Sequence, residues 1–129
     1  MQRIIIASGP VIVENNKALL VKHKDSFFKF CGGTVEKMEN FIKSAQREAK
    51  EELGIKIVLL DNNPFIMYSK KEINDEDYDV ILVHYLAKRI GEIIPGKDIK
   101  EWSWIDIEKI DQYELAPNII PTLKHFNFI

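Results

Sequence analysis

Hydrophobic and polar positions along this chain fall into two periods. Residues 3–13 and 17–22 are rich in β-branched and aliphatic residues and are separated by Glu14-Asn15-Asn16, a turn signal that predicts a hairpin. Residues 27–31 form a short aromatic run that predicts a strand leading into Gly32-Gly33. Residues 55–60 and 65–69 read as strands divided by the turn Asp61-Asn62-Asn63-Pro64, and the polar stretch 70–79 reads as a loop. In residues 80–87, Ile81, Val83 and Tyr85 alternate against Leu82, His84 and Leu86, which predicts a strand covered on both faces. A further loop is expected over 91–97, a last strand over 101–105, and a terminal helix over 118–126 that tolerates Pro121 in its first turn.

The period lengthens between residues 40 and 54. Asn40 is a helix N-cap residue and Gly54 a left-handed stop, so a helix is predicted from Phe41 to Leu53. At about 100° per residue, Ile42, Ala45, Ala49 and Leu53 form one apolar stripe, and Glu48, Glu51 and Glu52 line its edge. Glu51 and Glu52 stand in the last turn, at the negative end of the helix dipole, where each acid costs roughly 0.3–1 kcal/mol before mutual repulsion is counted. Lys43 and Lys50 lie far around the cylinder, so local cations are poorly placed to neutralise the cluster. A hard divalent cation, which prefers several carboxylate oxygens and keeps positions open for phosphate oxygens, suits such an arrangement.

Composition narrows the classes. With 129 residues, 46% of them hydrophobic, the chain is long enough for one compact domain spanning 1–129 and too short for two ordinary ones. A net charge of -2 supplies no broad cationic field for polymeric nucleic acid or for an anionic membrane. One cysteine excludes an internal disulfide and fits a reducing compartment, and no run reaches transmembrane length or resembles a signal peptide, so a cytoplasmic location is expected.

The spacing of the acids carries a resemblance. Gly33, five residues, Glu39, seven residues, then Arg47-Glu48-Ala49-Lys50-Glu51-Glu52-Leu53-Gly54-Ile55 is similar to a complete Nudix box, the signature of hydrolases acting on nucleoside diphosphates linked to another moiety. The sequence departs from the family's habits at Cys31, where proline is frequent, at Thr34, where lysine is, and at Met38, where glycine is. The resemblance implies an α/β/α sandwich with a mixed β-sheet flanked by helices. It implies Glu48, Glu51 and Glu52 as ligands of Mg²⁺, or of Mn²⁺, with Glu48 or Glu52 as the base that activates water. It also implies the Gly32 carbonyl as an added ligand and an acid from outside the box, with Glu101 first and Glu76 and Glu72 behind it. Arg47 either orients the acids or pairs with Glu39, and Glu39 is divided between that ion pair and the metal.

Substrate-side expectations follow on the same footing. The resemblance implies a small nucleotide, foremost a nucleoside triphosphate, with ADP-ribose, nucleotide sugars and dinucleoside polyphosphates as alternatives and a non-catalytic nucleotide sensor as the rival from another class. Asn118, in Ala116-Pro117-Asn118, stands where a MutT-like relative reads a purine edge, or else is only a helix cap. Phe28 belongs to a set of aromatics able to stack a base, most of which alternation assigns to the core. Gly33 lets backbone approach the substrate, and Lys24, with Lys22 and Lys29, is a phosphate contact or an ordinary surface lysine. A homodimer is common among such proteins. Cys31 reads as a small buried hydrophobe, and His23, His84 and His125 have no metal-ligand spacing and are assigned no chemistry.

Overall fold

A computed structural model describes residues 3–129. The predicted helix is α1, Phe41–Leu53, and both of its ends are set by the residues expected. The Asn40 side chain accepts the Lys43 N–H at 2.8 Å, satisfying one of the free donors of the first turn. Gly54 adopts φ 67°, and its N–H returns to the Lys50 carbonyl at 3.0 Å. Ser44, Ala45, Ala49 and Leu53 are buried along the inner face, where three small side chains let the helix axis lie close to the sheet.

Two sheets share the rest of the chain. The first has the order β4-β1-β7-β5, with β6 also on β7, where β1 is Ile4–Val11, β4 Gly33–Thr34, β5 Lys56–Leu59, β6 Phe65–Ile73 and β7 Glu76–Ile90. β1 runs parallel to β7 from Ile4↔Asp79 to Val11↔Leu86, and its other neighbour β4 is antiparallel, which makes the sheet mixed. The second sheet has the order β2-β3-β8, from Val13–Glu14, Lys17–Lys22 and Glu101–Asp106. β3 is buried on both faces: Leu19 and Val21 join α1 and Val83 in one core, while Ala18 and Leu20 join Phe28, Phe30, Ile119 and Leu123 in the other. With α1 in the first core and α2, Ile119–His125, in the second, the expected sandwich of sheet between helices is formed.

Several elements differ from the sequence reading. The single strand expected over 3–13 divides at Ile12, where the chain leaves the first sheet and enters the second. The hairpin turn that follows places Asn15 and Asn16 at φ 51° and 61°, a left-handed pair that asparagine tolerates. The loop expected over 70–79 is instead the tip of a long hairpin, β6 turning through Asn74 and Asp75 into β7. Its residues 70–72 and 74–77 are exposed, so neither face of the ribbon needed apolar side chains. The strand expected over 27–31 makes only two isolated bridges, Val21↔Lys29 and Phe28↔Leu115. A 3-10 helix, Ile107–Gln112, not anticipated, is capped by the Asp106 side chain on the Glu108 N–H.

Two local features carry consequences for stability. Met38 is 96% exposed and sits at φ 68°, in a turn closed by the Glu39 N–H on the Glu36 carbonyl, which explains why glycine suits that position. His84 on β7 is buried, with Nδ1 facing the Gly9 carbonyl at 3.2 Å and its ring 5.1 Å from that of Phe30. Burial pulls its pKa down from 6.5 to about 4, against the smaller opposing effect of the Gly9 hydrogen bond.

Met38→Gly is therefore expected to raise the unfolding free energy by up to about 1 kcal/mol, because relief of left-handed strain exceeds the added entropy of the unfolded chain; chemical denaturation measures it. For His84, the unfolded imidazole takes its proton at the ordinary value and the folded one only near pH 4. The unfolded state thus holds more protons in between, and acid favours it. Stability contributed by the neutral ring is present above pH 6.5 and lost as pH falls toward 4. Between pH 7 and pH 5 the wild type should lose about 2 kcal/mol more than His84→Gln in paired denaturation curves.

Candidate active site

The last two turns of α1 present Glu48, Glu51 and Glu52, and Arg47 on the same helix binds two of the three. Its Nη1 donates to Glu48 at 2.9 Å and to Glu51 at 3.1 Å. Its Nε and Nη2 form a two-pronged pair with Glu39 at 2.7 and 3.0 Å, and Nη2 also reaches the Thr34 carbonyl at 3.1 Å. Glu36 completes the group at 3.5 Å. Arg47 thus contacts Glu48 and Glu51 and also pairs with Glu39. The guanidinium, with help from the Glu36 N–H, holds the Glu39 carboxyl down to about 2, and Glu39 in turn raises the Arg47 pKa.

Glu48 is the most enclosed of the three, with only 8% exposure. Burial first, and then the charge of Glu52, push its pKa up, while Arg47 pulls the other way. A side chain at Gly33 would begin 2.5 Å from Glu48 Oε1, so the backbone approaches this carboxylate as closely as it does only because residue 33 has no Cβ. Glu52 is held from another direction. The Gly32 N–H donates to its Oε1 at 3.0 Å, and His23 Nε2 lies 2.6 Å from its Oε2. The contact made by Gly32 is through its amide. Main-chain bonds from Ile94 N–H to the Leu53 carbonyl (2.8 Å) and from Gly96 N–H to the Glu52 carbonyl (2.9 Å) satisfy the end of the helix and bring residues 94–99 against it.

A cavity of about 490 Å³ opens between these parts, lined by His23, Glu48, Glu51, Glu52, Gly96, Lys97, Asp98 and Ile99. Three of the expected acids are therefore brought together, with Gly32 and Gly33 beside them and Arg47 and Glu39 on the flank. Four of their six carboxylate oxygens face protein donors, and among the described residues no three His, Cys, Asp or Glu side chains converge as a ready ligand set. The donor chemistry nonetheless fits a hard dication: three carboxylates share one cavity, one of them desolvated and pressed by its neighbour's charge.

Other expected residues lie elsewhere. Glu101, at the start of β8, faces Lys22 at 3.3 Å, is half-exposed, and does not line the cavity. Glu76 pairs with Arg3 at the far hairpin tip, and Glu72 is on the same exposed ribbon. Lys24 is exposed. Phe28 is buried in the second core beneath Lys22 Nζ, 4.5 Å from the ring centre. Asn118 is buried at the start of α2; its carbonyl accepts from Thr122, and its side chain makes no cap hydrogen bond. Phe28 N–H and carbonyl bond to Glu114 and Ala116, so Phe28 and Asn118 belong to one neighbourhood, apart from the acids. Cys31 is buried as expected, with Sγ 3.6 Å from the Glu48 carbonyl.

Sequence reasoning missed His23, Lys97 and Asp98. No spacing marks them: His23 reaches Glu52 across 29 residues because β3 packs in the same core as α1, and Lys97 and Asp98 arrive on a loop whose position is set by its bonds to the end of α1.

Comparison with known proteins places the chain in a family. An ADP-ribose pyrophosphatase of Methanocaldococcus jannaschii is 32% identical over 109 residues, covering 81% of this chain; the chain spans 63% of that protein's length. Nucleoside triphosphatase NudI of Salmonella agona (strain SL483) is 25% identical over 127 residues, covering 88% of this chain and 89% of NudI. The crystal structure of a NUDIX-family hydrolase from Clostridium perfringens shares the fold, with a TM-score of 0.77 over 97% of this chain and 96% of that one at 22% identity. The model of the NUDIX domain matches residues 5–126, nearly the whole chain, and the protein belongs to the NUDIX family.

Proposed function

We propose that this protein is a divalent-metal-dependent hydrolase of a phosphoanhydride bond in a small nucleotide, with a nucleoside triphosphate as substrate and Mg²⁺ as the ion. The observation that carries this reading is the set of three glutamates around one cavity, with Glu48 pressed against Gly33 and Glu52 anchored at Gly32. NUDIX hydrolases generally use divalent metals, and Glu48, Glu51 and Glu52 are the residues that would hold one here. When bound, such an ion neutralises phosphate charge and acidifies water.

The chain's own residues account for the remaining chemistry. Water attacks phosphorus as the phosphoanhydride P–O bond breaks; the water's proton passes to a carboxylate oxygen of Glu48 or Glu52, and the leaving phosphate group departs with the bonding electrons. From a nucleoside triphosphate and water the products are a nucleoside monophosphate and pyrophosphate. Burial and the charge of Glu52 push the Glu48 pKa up, a direction that favours proton uptake by Glu48. Arg47 fixes Glu48 and Glu51 on one side, and Lys97 at the rim offers a positive charge to the phosphates.

The similarity to the Methanocaldococcus jannaschii protein supports a second substrate, ADP-ribose, cleaved by the same attack on a diphosphate. Conversely, the whole-length match to NudI supports the triphosphate.

Incubating the protein and Mg²⁺ with canonical and oxidised triphosphates, ADP-ribose, nucleotide sugars and dinucleoside polyphosphates, with products read by mass spectrometry, should show selective loss of a triphosphate. Glu52→Gln should lower kcat by about 10²-fold or more while melting as a folded protein. Selective cleavage of ADP-ribose would move the assignment to the second substrate; binding without turnover by the wild type would make the protein a nucleotide sensor. Mg²⁺ or Mn²⁺ should also raise the melting temperature of the wild type by mass action, and less so that of Glu52→Gln.

A further inference from the structure

We infer that His23 is a positioning residue for Glu52: its Nε2–H holds the carboxylate in the orientation that presents it to the cavity. The inference rests on the proposed function, because it assigns His23 its purpose through Glu52.

The geometry is specific. A carboxylate only accepts, so at 2.6 Å from Glu52 Oε2 the His23 Nε2 carries the hydrogen. With Gly32 N–H on Oε1 at 3.0 Å, both oxygens of Glu52 are fixed, one by main chain and one by a ring. Neither donor belongs to α1, so the side chain is oriented from outside its own helix. Arg47, which bonds Glu48 and Glu51, makes no bond to Glu52. His23 therefore does for the third glutamate what Arg47 does for the other two.

His23 is itself well anchored. It follows the last residue of β3, whose neighbours are tied on both sides: Val21 exchanges two hydrogen bonds with Lys29, at 2.8 and 2.9 Å, and the Lys22 carbonyl accepts from Lys100 N–H at 2.9 Å. The ring is three-quarters buried, and its Nδ1 is buried without a partner. An unpartnered buried polar atom is a cost to folding, and the bond to Glu52 is the polar contact its side chain makes in return. A lysine or arginine at 23 could reach Glu52 as well, but as a fixed charge on a flexible stem; the imidazole offers one donor in one direction.

Two variants separate this role from a merely structural one. His23→Gln keeps an N–H donor near the Nε2 position, and His23→Leu keeps bulk without a donor. Binding of Mn²⁺ alone, followed by electron paramagnetic resonance, needs no substrate. His23→Leu should weaken Mn²⁺ binding by about 10-fold or more and lower kcat, with a smaller change in KM, while His23→Gln recovers most of both. The inference is overturned if folded His23→Leu binds Mn²⁺ like the wild type, or if His23→Gln is as impaired as His23→Leu. A rise in KM with unchanged kcat and Mn²⁺ affinity would overturn it too, making His23 a substrate contact. If the wild type binds no Mn²⁺, the proposed function fails first and this inference with it.

Discussion

The Arg47 guanidinium makes it tolerable to gather acids at the negative end of a helix. Each acid there is opposed by the dipole by roughly 0.3–1 kcal/mol, and the neighbouring acids add repulsion. Arg47 meets the cluster on its own helix through Glu48 and Glu51 and reaches out of it to Glu39 and to the Thr34 carbonyl. A lysine could neutralise the charge but not hold four acceptors in one plane. Those outward bonds also tie the residues that follow Gly33 to the helix, so the same interaction that stabilises the acids keeps the glycine backbone against them.

The acids are consequently held by two independent clamps. Glu48 and Glu51 belong to Arg47, and Glu52 belongs to Gly32 and His23. Independence matters because the carboxylates repel one another: burial and the charge of Glu52 both push the Glu48 pKa up, and without separate tethers the cheapest relief would be for one side chain to swing to solvent. Glu51, the most exposed of the three, has only the Arg47 tether, whereas Glu48 and Glu52 are each confined by backbone glycines as well.

How much of this could be read from the sequence depends on how local each determinant is. The helix was legible because its cap, stop and apolar stripe all lie within residues 40–54, and the acid cluster was legible with it. The Arg47–Glu39 pair was open in the sequence as one of two readings of each residue. The hairpin of β6 and β7 was hidden because a ribbon exposed on both faces needs no alternation of apolar residues, leaving a composition that reads as loop. Residues 27–31 show the opposite failure: an aromatic run with strong strand preference makes only single bridges, because β3 lies on one side and residues 114–116 on the other for one residue pair each. His23 carried no signal, since its partner lies 29 residues away and is met through the packing of β3 and α1 in one core.

That bridging segment also joins the two halves of the molecule. Near its start, Phe28 is bonded through its main chain to Glu114 and Ala116, just before Asn118, in the second core. Near its end, Gly32 donates to Glu52, and Gly33 lies against Glu48 beside the first core. Because each end is fixed by backbone bonds or by contact too close for a side chain, the acids and the Asn118 neighbourhood are linked through a short strap; only Lys29, Phe30 and Cys31 separate Phe28 from Gly32. The length and register of this strap, more than any single side chain, therefore set how far the cavity of glutamates stands from the second core around Asn118.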